Sequence, residues 1–93
     1  MAVSIAFSTN MVGFKLYPNP VKDQLYISFN MQTTGKAELR ITDILGRIIY
    51  SNTANNNQGN NATAVNVSSL SKGEYYVLVI TDKDIQRSKF VKQ

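Results

Sequence analysis

From residue 23 onward, apolar and polar positions alternate with period two, and Gly, Asn, Ser and Asp clusters interrupt the alternation at short intervals. No stripe of helical period competes with this pattern. In Asp23 to Asn30, Leu25, Ile27 and Phe29 fall on one face and Tyr26 and Ser28 on the other, the pattern of a half-buried strand. Lys36 to Asp43 repeats it, with Ala37, Leu39 and Ile41 opposite Glu38, Arg40 and Thr42. Further strands are predicted over Arg47 to Thr53, Ala64 to Val67, Glu74 to Thr81 and Ile85 to Lys92. A seventh comes from Phe14 to Tyr17, or from Val3 to Ser8.

The punctuation supports the same reading. Asp43-Ile44-Leu45-Gly46 puts Asp at the first and Gly at the fourth position of a type I turn, and Gly46 supplies a positive φ for a three-residue hairpin loop. Asn55 to Asn61, Asn-Asn-Asn-Gln-Gly-Asn-Asn, has nothing to bury and is expected to be a surface loop. Ser68 to Gly73 forms a corner in which Leu70 turns inward and Gly73 takes a left-handed conformation. Glu74 to Thr81 is apolar on both parities, as in a central strand with both faces covered, so Tyr76, Leu78 and Ile80 are expected to be buried, the alternative being an exposed patch used by a partner. Short strands at regular spacing argue for an all-β, immunoglobulin-like antiparallel sandwich of about seven strands. Tyr75, two positions before inward Val77, fits the tyrosine corner of that fold. Leu25, Ile27, Leu39, Ile41, Val65, Val67, Leu70, Val77 and Val79 are expected to share one core.

Composition limits what such a sandwich can do. Ninety-three residues make one small domain, and with 43% hydrophobic and 17% charged residues it folds rather than stays disordered. Cysteine and histidine are both absent, which removes disulfides, thiolate metal sites, the commonest general base and the commonest metal ligand. The six carboxylates, Asp23, Glu38, Asp43, Glu74, Asp82 and Asp84, lie mostly at strand ends and turns, and Asp82-Lys83-Asp84 lacks the glycine and further oxygens of a calcium loop. No catalytic residue, cofactor or metal is expected. The net charge of +4 is dispersed without a run of three, which disfavours a nucleic-acid track, and only Arg87, Lys89 and Lys92 form a local excess. No segment reaches the roughly 18 apolar residues of a transmembrane helix, and the N-terminus lacks the features of a signal peptide. Residues 1–13 read as linker from a longer parent polypeptide or as cloning-derived sequence, and residues 14–93 as the domain.

Five segments carry a resemblance in their order and spacing. They are Leu16-Tyr17-Pro18-Asn19-Pro20, the strand Leu25-Tyr26-Ile27, Ile41 to Ile49 around Asp43, Gly46 and Arg47, Val65 to Tyr75 with Leu70, Gly73 and Tyr75, and the closing Lys89-Phe90-Val91-Lys92. Together they resemble the type A C-terminal sorting domain that Bacteroidetes append to proteins secreted by the type IX system. The resemblance implies a non-catalytic export signal, covalently part of a larger cargo and carried through the periplasm to the outer-membrane translocon. It also implies removal by a surface sortase that joins the cargo to lipopolysaccharide, with the cargo ending at the outer membrane, on the cell surface or in the medium. Ser71 stands where the family often has proline, and Gln93 follows the basic residue that commonly ends the chain.

Most of these motif positions have a fold-level reason. Pro18 and Pro20 fix φ and bias Tyr17 and Asn19 towards extended backbone, which stiffens the approach to the sandwich. Asp43, Gly46, Arg47, Leu70, Gly73 and Tyr75 read mainly as structural. Lys89, Phe90, Val91 and Lys92 are the export-recognition candidates, because a terminal strand offers an accessible edge and the fold has no evident need for two lysines there. Fold does not decide function, and two other functions compete. One is an adhesion or glycan-binding module, which exposed aromatics on one sandwich face would favour. The other is an anion or single-strand nucleic-acid binder using Tyr17, Tyr26 and Tyr50 beside basic residues.

Overall fold

Alternation builds seven strands, and the computed structural model describes them over residues 14–93. In chain order they are β1 (Lys15–Tyr17), β2 (Gln24–Met31), β3 (Gly35–Asp43), β4 (Ile48–Asn56), β5 (Gly59–Asn66), β6 (Gly73–Ile80) and β7 (Ile85–Lys92). A three-stranded sheet, β1-β2-β5, faces a four-stranded sheet, β4-β3-β6-β7, and every pairing within them is antiparallel. The seventh strand is therefore β1. The other candidate, Val3 to Ser8, lies outside the described residues.

The inward parity of each strand supplies the core. Leu25, Ile27, Leu39, Ile41, Val65, Val67, Val77 and Val79 are all buried, and Leu70 packs against them half-buried. Phe14, Val21, Phe29, Met31, Ala37, Tyr75 and Phe90 complete the cluster. Tyr75 stacks on Phe90 with ring centroids 5.5 Å apart. Its hydroxyl donates to the Ser71 carbonyl at 2.6 Å, which closes the tyrosine corner.

Three expectations are corrected. The Asn-rich stretch is not a loop: β4 runs on to Asn56, β5 begins at Gly59, and only Asn57 and Gln58 connect them. Here the chain crosses from one sheet to the other, so Asn55 and Asn56 pair with β3 while Asn60 and Asn61 pair with β2. Backbone pairing does not require an apolar side chain, and Gly59 at φ +100° makes the tight crossing possible. Side-chain amides add bonds, from Asn61 Nδ2 to the Asn57 carbonyl (2.8 Å) and from Asn30 Nδ2 to Asn60 Oδ1 (3.1 Å). The strands expected over Arg47 to Thr53 and Ala64 to Val67 are both longer for this reason.

The third correction concerns β6, which is central in its sheet as expected. Among the described residues nothing layers over its outer face, so Tyr76, Leu78 and Ile80 are half-buried, shielded from the side by neighbours such as Arg87, whose guanidinium lies 4.8 Å from the Tyr76 ring centre.

Candidate functional site

The closing strand presents two faces, and the four recognition candidates divide between them. Phe90 and Lys92 point inward, Phe90 fully buried and Lys92 with only 7% of its surface exposed, while Lys89 and Val91 point out. Period-two geometry makes this unavoidable for consecutive residues of one strand. The Lys92 ammonium donates to the main-chain oxygen of Gln93 at 2.6 Å. On the outer face Lys89 pairs with Glu74 of β6 at 2.9 Å, and Arg87 covers Tyr76. The hydrogen bond and charge of Glu74 raise the Lys89 pKa above its ordinary value.

The edge of β7 is occupied, contrary to the expectation that a terminal strand leaves it accessible. Asn19 acts as a substitute strand residue: its Oδ1 accepts from the Val91 amide at 2.9 Å and its Nδ2 donates to the Lys89 carbonyl at 3.3 Å. Two residues on, the Val21 amide donates to the Val91 carbonyl and the Gln93 amide donates to the Val21 carbonyl, both at 2.8 Å. This is a short parallel bridge between the lead-in segment and the chain's last residues. Val21 is fully buried, which anchors the bridge in the core.

The Tyr17-Pro18-Asn19-Pro20 motif, with both X-Pro bonds cis, is thus the cover of the β7 edge. It brings the first and last motifs of the sequence into one surface. Val21 and Glu74 escaped the sequence reading; the only signal for Val21 was a lone apolar residue between Pro20 and Lys22.

The other motif residues lie away from this corner and hold turns. Asp43 opens the β3–β4 hairpin, whose Gly46 has φ +86°. Its Oδ1 accepts from the amides of Leu45 (2.9 Å) and Arg47 (3.0 Å), and its Oδ2 accepts from Arg47 Nε (2.6 Å). Partial desolvation opposes ionisation, but the bonds from Arg47 and Leu45 outweigh it and hold the Asp43 carboxyl below its usual value. Gly73, at φ +148°, and Leu70 shape the corner before β6.

Among the described residues, no group of three or more His, Cys, Asp or Glu side chains is placed to hold a metal ion, and no helix is long and apolar enough to cross a membrane.

A three-plus-four β-sandwich with a tyrosine corner and a covered C-terminal strand places the chain among small immunoglobulin-like domains. Comparison with family models is more specific. The model described as secretion system C-terminal sorting domain matches residues 15–93, and the chain belongs to that family. It therefore carries a C-terminal sorting signal for type IX secretion, a signal that directs export across the outer membrane. No curated protein matches the chain.

Proposed function

We propose that this domain is the non-catalytic export tag of a larger cargo protein, and that the type IX translocon reads it at the corner where β7 meets its lead-in segment. Lys89 and Val91 make the contact from the outer face, while Phe90 and Lys92 hold the strand in the core. A surface sortase then cuts upstream of Tyr17 and transfers the cargo to lipopolysaccharide. The observation that carries the reading is the set of bonds from Asn19 and Val21 to β7, which joins the family's first and last motifs.

The test is a fusion of the whole chain behind a signal peptide and reporter in a host with the type IX system. The intact tag is expected to deliver the reporter to the surface or medium. Lys89→Ala/Val91→Thr should leave the reporter in the periplasm with the domain still folded by circular dichroism. Normal export of that variant removes the site, and periplasmic retention of the intact tag removes the export reading.

One observation favours a second reading, a glycan-binding module. Tyr17 and Tyr26 stack at 5.6 Å on the outer face of the small sheet, both about half exposed. Binding of a glycan array that disappears in Tyr26→Ala would support it.

A further inference from the structure

We propose that the edge of β4, which no described strand pairs with, is a strand-addition site, filled by an extended, uncharged segment of an export-machinery protein with apolar side chains at alternate positions. The identity of the partner rests on the export reading above; the site itself does not.

The four-stranded sheet has two edges, and they are protected unequally. At β7, charged side chains and the bonds from Asn19 and Val21 stand in the way of another strand. At β4, Ile48 to Asn56 contains no charge and no proline, and its one irregularity is the register shift beside Ile41 and Thr42, at the hairpin end. All of β4 is exposed except half-buried Tyr50 and Asn56.

The backbone of β4 has donors and acceptors to offer. The Asp43 amide donates to the Arg47 carbonyl, so alternate β3 residues from Asp43 back to Ala37 turn towards β4. Their partners Tyr50, Asn52 and Ala54 are engaged by β3. By the same alternation Ser51, Thr53 and Asn55 direct their N–H and C=O groups to the side that no described strand occupies.

Along this edge the seam between the sheets opens into two hollows. One, of about 150 Å³, is lined by Ile49, Tyr50, Val65 and Leu70 among others, and the second, of about 80 Å³, by Phe29, Ala37, Ala54 and Ala62 among others. A strand beside β4 would turn every second side chain towards this seam. Tyr50 and Ala54 are four residues apart, about 13 Å along a strand, so two apolar side chains at i and i+4 of the partner would enter the two hollows.

These features select the occupant. β5, across the seam, is also free of charge, so a charged segment would be desolvated there without a partner. A second copy pairing β4 with β4 would bring Asn52 and Asn56 to positions that need apolar groups, which makes it a poor filler.

The probe is a capped nine-residue peptide alternating threonine and valine, titrated into the 93-residue protein and followed by amide NMR. Chemical-shift changes are expected in β4 and around the two hollows, with exchange of the Ser51, Thr53 and Asn55 amides slowed about tenfold or more. Thr53→Pro removes an outward donor without removing a β3–β4 bond, and should weaken peptide binding about tenfold or more. Ala54→Lys, a change at an exposed position, should do the same by putting a charge at the mouth of the smaller hollow, and stands in if the proline variant does not fold.

Absence of binding at millimolar peptide, shifts centred on β7 or β1, or unchanged affinity in a folded variant would overturn the site. Concentration-dependent shifts of the same amides without peptide would place a second copy there and overturn the occupant. In the reporter host, folded Thr53→Pro should be exported poorly, and its normal export also overturns the proposal. Failure of the intact tag to export would instead count against the export reading, leaving the peptide titration to judge the site.

Discussion

The Asp43 carboxylate accepts three hydrogen bonds from residues two and four positions ahead, which ties Asp43 to Arg47 across the hairpin whose positive φ Gly46 supplies. Glu38 is held in a related way: bonds from Arg40 and Ser51 lower its pKa, with burial acting in the opposite direction. Both carboxyls have folded pKa values below their unfolded ones, near 4 for ordinary Asp and Glu. Their contribution is therefore fully present above that range and is lost as pH falls through the depressed folded values. In Asp43→Asn, the decline of stability between about pH 5 and pH 2 should be shallower than in the parent. Urea midpoints measured across that range check this, and parallel acid limbs would show that the carboxylate's bonds do not favour the folded state.

At the scale of the element, β7 carries two tasks on two faces. Phe90 fills the core against Tyr75, so Phe90→Ala should cost about 3–5 kcal/mol, whereas exposed Val91→Ala should change stability by no more than about 0.5 kcal/mol. Chemical denaturation of both variants tests this, and equal costs would contradict the inward and outward assignment. The same geometry decides how the signal is to be dissected. Deleting residues 89–93 removes a core residue and the partners of Asn19 and Val21 together, so it cannot separate recognition from folding. Outward substitutions can.

At the scale of the whole molecule, the lead-in segment and the last strand act as one unit across some seventy residues of sequence. Asn19→Ala should release that unit. The Val91 amide, which faces Asn19, is expected to exchange faster by hydrogen-exchange NMR, while the Phe90 amide, which faces β6, keeps its protection. Unchanged exchange at Val91 would mean that the cover contributes nothing to holding the edge. Among the described residues β7 is covered and the outer edge of β4 is not, and the two tests above address one each.

Period and turn chemistry are local, and they were legible in the residues. They placed the strands, the inward positions of the core, the Asp43–Gly46 hairpin and the tyrosine corner, because each depends on neighbours within a few positions. The Asn-rich crossing was misread because side chains with nothing to bury say little about backbone pairing. Tyr76, Leu78 and Ile80 were misread because an apolar residue does not reveal whether a layer lies above it. Local pattern likewise could not show which edge would be covered. Asn19 looks like part of a stiff boundary until Lys89 and Val91 are brought beside it, and β4 looks like any polar strand until it proves to be the last described strand of its sheet. Those facts come from contacts between residues distant in sequence, and only the tertiary structure supplies them.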